Sequence, residues 1–171
     1  MAIINLKLMK LGVISYRKNS GRRFEQEKRK ISGATGNKDI HHIGSTSVSG
    51  LGGKGIIDIM IGIENWKETE NLVKKLKAIG FKHVHPKIHG KIFLSKHRKP
   101  TPDNVHLHII RSQSKQYREL LAFRDYLRKH KREIQRFFKL KKEWSEKAKG
   151  DRFEYNQLKS KYVKEILRKA F

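Results

Sequence analysis

The chain has 171 residues, 36% of them hydrophobic, and carries 41 Lys+Arg against 16 Asp+Glu, a formal charge of +25. That length suits one domain with a proper core and leaves too little chain for two. Apolar residues clustered in strand-like and helix-like patterns exclude global disorder, the lack of any run near 18 apolar residues excludes a membrane helix, and the absence of cysteine excludes disulfides and thiolate chemistry.

In chain order, residues 3–16 alternate weakly and suggest an initial strand. Phe24 to Ile31 reads as a helix stopped by Gly33 and Gly36, and Asp39 to Ile43 as a short strand running into Gly44-Ser45. A loop with glycines at 50, 52, 53 and 55 follows. Ile56 to Ile63 is then apolar on both faces, the pattern of a central buried strand. Trp66, Thr69, Leu72, Val73, Leu76 and Ile79 recur at helical spacing up to Gly80. Phe81 to His85, Lys91 to Ser95 and Asn104 to Ile110 read as strands separated by Pro86, Gly90 and the Pro100-Thr-Pro turn. From Ser114 the period becomes helical, over about 114–129, 131–148 and 152–169.

The expected architecture is thus α/β (α+β): a mixed sheet flanked by helices over about 1–110, then a C-terminal helical cap over about 114–171, all in a single domain. In the cap, Tyr117, Leu120, Leu121, Phe123 and Leu127 are expected to pack on the sheet, with Arg124-Asp125 as an internal ion pair. The heptad pattern is too short for a coiled coil. The N-terminus lacks a signal-peptide layout, so a cytoplasmic location is expected by elimination.

One acid stands apart. Asp39 and Asp103 fall in turns and Glu64 opens a helix, but Asp58 lies inside Ile-Ile-Asp-Ile-Met-Ile, where a carboxylate is costly to desolvate unless cations or strong donors meet it. His106 and His108, two apart on a strand, point the same way about 7 Å from one another. One carboxylate with two imidazoles suits Zn, Mn, Ni or Fe better than Mg, which prefers oxygen ligands. His41, His83, His85, His89, His97 and His130 read as surface or loop residues. Gly52-Gly53-Lys54-Gly55 fails as a phosphate-binding P-loop, because Val48 replaces its first glycine and Gly55 its Ser/Thr.

The segment from 42 to 58 resembles the GrpB family, a branch of the polymerase-beta-like nucleotidyltransferase superfamily. His42, Gly44, Ser45, Thr46, Val48, Gly50, Leu51, Lys54, Ile57 and Asp58 fall in the family pattern, while Ser49 and Gly55 stand where proline is usual. His106-Leu107-His108, residues 123–128 and the Tyr155-to-Lys159 spacing extend the resemblance over about 15–170.

The resemblance implies a nucleotidyltransferase-like sheet and a metal-assisted site that moves a nucleotidyl group from an NTP to an acceptor. Gly44, Ser45, Thr46 and Lys54 would meet phosphates, and Lys54 and Asp58 would carry catalysis. Asp58, His106 and His108 would hold a divalent metal (Mg, Mn or Zn), with His42, Arg124, Tyr155 and Lys159 bordering the cleft. Met60 occupies the position of the superfamily's second acid, which favours the alternative of a non-catalytic nucleotide- or RNA-binding module. The charge excess, with 20 Lys/Arg against 8 Asp/Glu in residues 111–171, points to RNA or another polyanion as partner. A purely structural protein leaves Asp58 and the glycine loop without a purpose.

Overall fold

The computed structural model describes residues 15–99 and 101–171, and all their side chains except those of residues 87 and 152. The initial strand expected over 3–16 falls almost wholly outside these residues, as does Pro100 of the expected turn; residues 15–17 carry no regular structure.

Among the described residues, five strands form one sheet: β1 (Ile40–Ile43), β2 (Ile57–Ile63), β3 (His83–Ile88), β4 (Lys91–Ser95) and β5 (Val105–Arg111), in the order β1-β2-β5-β4-β3. β2 and β5 pair in parallel and every other pair is antiparallel. The expected central strand is indeed central, flanked by β1 and β5. Among the described residues, five α-helices flank the sheet: α1 (Ser20–Thr35), α2 (Thr69–Ala78), α3 (Lys115–Lys129), α4 (Lys131–Lys147) and α5 (Arg152–Ala170). None is long and apolar enough to cross a membrane.

Alternation along β2 sends its side chains to two different environments. Ile57, Ile59, Ile61 and Ile63 face a core built with Phe24 and Ile31 of α1, Leu72 and Leu76 of α2, and Leu107 and Ile109 of β5. Met60 faces the other way and packs with Ile43, Ile110 and Tyr117 beneath α3. Asp58 shares that second face.

Several elements differ from expectation. α1 runs through Gly33 and ends only at Gly36, because nothing crowds Gly33 and the flanking turns hold the helix. Trp66–Glu68 is a 3-10 turn that precedes α2 rather than its first turn. β3 begins two residues late and passes through Pro86 to Ile88; proline is tolerated there because β3 is an edge strand, and its register shifts between His85 and Ile88. In the cap, Tyr117, Leu120 and Leu121 pack on the sheet as expected. Phe123 and Leu127 instead join Phe137, Trp144, Tyr162 and Ile166, a separate apolar cluster between α3, α4 and α5. Val48 and Leu51 of the glycine loop are inserted into that cluster, which is how the helices and the loop are held together.

Candidate functional site

The loop after β1 starts with a close approach. Gly44 has φ 71° and ψ −172°, and a Cβ there would overlap the Asp58 side chain. Backbone and carboxylate are therefore packed together across the β1–β2 pair, where Ile43 is opposite Asp58. Ser45–Ser47 forms a 3-10 turn closed by the Ser47 hydroxyl, which donates to Gly44 O at 2.6 Å. Cationic side chains from three helices then donate to carbonyls at or flanking the loop. Arg23 of α1 reaches Gly55 O (3.2 Å), Arg124 of α3 reaches His42 O (3.1 Å) and Arg128 reaches Ser47 O (2.9 Å), while Lys141 of α4 reaches Gly52 O (2.9 Å). The loop that composition presents as loose is fixed from both sides.

Asp58, His106 and His108 converge. Asp58 Oδ1 lies 3.3 Å from His106 Nδ1 and 3.5 Å from His108 Nε2. The parallel register places His106 opposite Asp58 and His108 opposite Met60, which puts both imidazoles on the carboxylate's face. Phe93 of β4 backs both rings, at 4.9 and 5.2 Å between centroids. Burial alone would raise the Asp58 pKa, but hydrogen bonding and charge from His106 and His108 outweigh it and hold the carboxyl well below its usual range.

The donor chemistry fits a divalent ion. Two ligands of a four-coordinate ion with bonds near 2.0–2.1 Å sit roughly 3.3 Å apart, which is the spacing from Oδ1 to each imidazole. Among the described residues, however, no group of three or more His, Cys, Asp or Glu side chains is arranged to hold an ion as it stands. Asp58 with either imidazole offers two points of attachment.

Beside Asp58 opens a cleft of about 480 Å³ between the sheet and the C-terminal helices. Gly44, Ser45, Lys54, Asp58 and His106 line its sheet side, and Arg124, Tyr155 and Lys159 its helical side. Arg124 borders the cleft with three of its five N–H donors engaged, two by the expected pair with Asp125 (2.8 and 3.0 Å) and one by His42 O. Lys159 is open to solvent, yet the protein around it desolvates it and lowers its pKa against the pull of Asp58.

Two residues of the expected site lie behind it. His42 falls on the opposite face of β1 from Ile43, is 7% exposed, and stacks on Phe24 with centroids 4.5 Å apart. Its Nε2 lies 3.0 Å from the Thr46 hydroxyl, and that hydroxyl donates to Ile56 O at 2.9 Å. The Thr46 proton is thus committed, so His42 donates through Nε2–H, while burial, reinforced by Arg128 and Arg124, lowers its pKa to about 4 and leaves it neutral near pH 7. His42 and Thr46 brace the loop from the core side and neither lines the cleft.

Two features went unseen in the sequence. Lys141, 5% exposed, lines the cleft floor beside the loop. At the far end of the sheet, Asp39 accepts from Ser112 and Tyr117, each at 2.6 Å, and contacts His41 Nε2 at 2.6 Å. His41, expected as a surface residue, is therefore part of a clamp joining β1, the end of β5 and α3. Burial opposes ionisation of Asp39, but these hydrogen bonds prevail and keep its pKa below the ordinary value.

Fold and site together define an α/β protein with a cation-rich cleft at one end of a mixed sheet, where a glycine loop meets the ionised carboxylate of Asp58. The chain belongs to the GrpB family, whose sequence model, described as GrpB protein, matches residues 10–169. It is 32% identical over 162 residues to the glutamate-rich protein GrpB of Alkalihalophilus pseudofirmus, spanning 91% of this chain and 92% of that one. It is 30% identical to a UPF0157 protein of Vibrio cholerae, over 89% of this chain and 76% of that protein. The crystal structure of conserved protein GrpB from Enterococcus faecalis superposes with a TM-score of 0.77 at 26% identity, covering 92% of this chain and 96% of that one. Where the Alkalihalophilus relative is named for its glutamate, this chain has 41 Lys+Arg against 16 Asp+Glu, so its basic charge is not something that name leads one to expect.

Proposed function

We propose that the chain binds a nucleoside triphosphate in this cleft and transfers its nucleotidyl group to an acceptor hydroxyl, phosphate or protein, releasing pyrophosphate. The observation that carries the reading is the meeting of an ionised carboxylate, a rigid glycine loop and three lysines in one cleft. Gly44 and Ser45 supply donors to phosphate oxygens, and Lys54 and Lys159 supply positive charge. Asp58, with His106 or His108, would hold a divalent ion, which when bound would neutralise phosphate charge. The excess of cations over the whole chain makes RNA a fitting acceptor.

A second reading, nucleotide binding without turnover, is favoured by Met60. It stands on the Asp58 face where a second acid would belong, and it is fully buried among Ile43, Ile110 and Tyr117. One incubation separates the two. Nucleotides labelled at the α-phosphate are supplied with RNA and with protein acceptors, in Mg, Mn or Zn. Incorporation is expected, with a fall of about 100-fold or more in Asp58→Asn, the scale of removing a principal electrostatic group. Nucleotide binding by calorimetry with no incorporation under any metal establishes the binding module instead.

A further inference from the structure

We infer that Lys141 is the centre of a diphosphate-binding subsite in the cleft, where its Nζ and the Ser45 hydroxyl beside Gly53 together take the terminal phosphates of a nucleotide or free pyrophosphate. The inference deepens the nucleotide reading of the same cleft, but its chemistry is anion binding and does not require transfer.

Lys141 sits in an apolar stripe of α4 with Phe137 and Trp144. Its Nζ lies over the Phe137 ring, 4.4 Å from the centroid, and donates to Gly52 O at 2.9 Å. An ammonium has three protons, and this bond uses one. Among the described residues no carboxylate lies within ion-pair distance of Nζ, so a buried cation has a carbonyl and an aromatic face but no counter-charge. Such an arrangement is costly, and it is tolerated where a ligand anion completes it. Burial, reinforced by Lys159, accordingly pushes its pKa down to about 7 against the attraction of Asp58.

A second donor lies beside it in the cleft lining. A Cβ built on Gly53 would overlap the Ser45 hydroxyl and stand 3.7 Å from Lys141 Nζ. Two side-chain donors, the Ser45 hydroxyl and Lys141 Nζ, therefore meet against Gly53 in the cleft wall. Lys54, the lysine that sequence pattern selects for this role, is exposed at the rim of the same cleft. The buried lysine fixes where the phosphates go, and the exposed one adds charge at the entrance.

The test is calorimetric titration of inorganic pyrophosphate, ATP and AMP into the wild-type chain, Lys141→Met and Lys139→Met. Lys139 lies on the same helix, is exposed and pairs with Glu143, so its removal costs the same net charge with none of the geometry. Lys141→Met is expected to weaken pyrophosphate and ATP at least tenfold, while Lys139→Met changes both less than twofold. AMP, which lacks the diphosphate, is expected to show no dependence on Lys141. Pyrophosphate should also raise the melting temperature of the wild-type chain and leave that of Lys141→Met unmoved.

Should Lys141→Met fail to fold, Lys141→Gln keeps a donor for Gly52 O and carries the same comparison. Equal pyrophosphate affinity in wild type and variant, or no binding by the wild type, overturns the inference. Pyrophosphate binding that depends on Lys141, without nucleotidyl transfer, sinks the transfer reading and leaves this one standing.

Discussion

Gly44→Ala is expected to destabilise the fold by about 3 kcal/mol or more and to abolish ligand binding in the cleft. Two costs add. The backbone at φ 71°, ψ −172° lies in a region only glycine occupies readily, worth roughly 1–3 kcal/mol for any other residue. The new methyl would also overlap the Asp58 carboxylate and its Cβ. Asp58 has no room to yield, since it is fixed on a strand paired on both sides and engaged with His106 and His108. The loop must then lift away from β2, taking Ser45 and the turn over Ser45–Ser47 with it.

Gly33→Ala is the matched control. It sits inside α1 with open space around it, and alanine there should stabilise by about 0.5–1 kcal/mol through helix propensity. Chemical denaturation of both variants, with pyrophosphate titrations alongside, reads the difference. A Gly44→Ala chain that unfolds with the wild-type midpoint and still binds would show that loop and carboxylate are not in contact.

Much of this site was legible in the sequence because its carriers are exceptions to a strong pattern. An acid among five apolar residues, and two histidines at strand spacing, can be found by alternation alone, and the parallel pairing of β2 with β5 brings them together. What alternation does not give is which face each neighbour takes. His42 belongs to the same run of residues as Gly44 and Ser45, but Ile43 is the residue opposite Asp58, so His42 must point into the other core. Only the register decides that, and register was not visible.

Lys141 was hidden differently, as one of 41 basic residues. A signal did exist: Phe137, Lys141, Trp144 and Ser145 share the buried face of α4, so a lysine occupies a position the helical period reserves for apolar groups. The division of the cap was less accessible. Leu120 and Phe123 are both apolar and one turn apart, yet one meets the sheet and the other meets α4, a choice made by the packing of three helices rather than by local pattern.

The fold is expected to lose about 3 kcal/mol between pH 6.5 and pH 4 through His42 alone. Burial lowers the His42 pKa from 6.5 to about 4; Arg128 and Arg124 reinforce it, and Asp58 opposes it. The ring is stacked on Phe24 and its Nε2–H is committed to Thr46, so a second proton brings a charge into a site already facing two guanidinium groups. In the unfolded chain the same imidazole titrates near 6.5. Between these values the unfolded state binds more protons than the folded state, and stability must fall as the pH falls. The contribution is whole above pH 6.5 and gone below about 4.

Neighbouring groups act in other windows. Asp58, held well below 3.8, is felt only in stronger acid, and Lys141, lowered from 10.5 to about 7, acts on the alkaline side. Urea unfolding at several pH values between 7.5 and 4.2 measures the slope, and His42→Gln identifies its source. Glutamine keeps an N–H donor and does not titrate, so the variant starts less stable for want of the Phe24 stack but declines more shallowly, by about one proton's worth of slope. Parallel curves for the two chains would mean that the folded protein accepts the proton on His42 without penalty, and the buried neutral imidazole would no longer explain how the loop is braced.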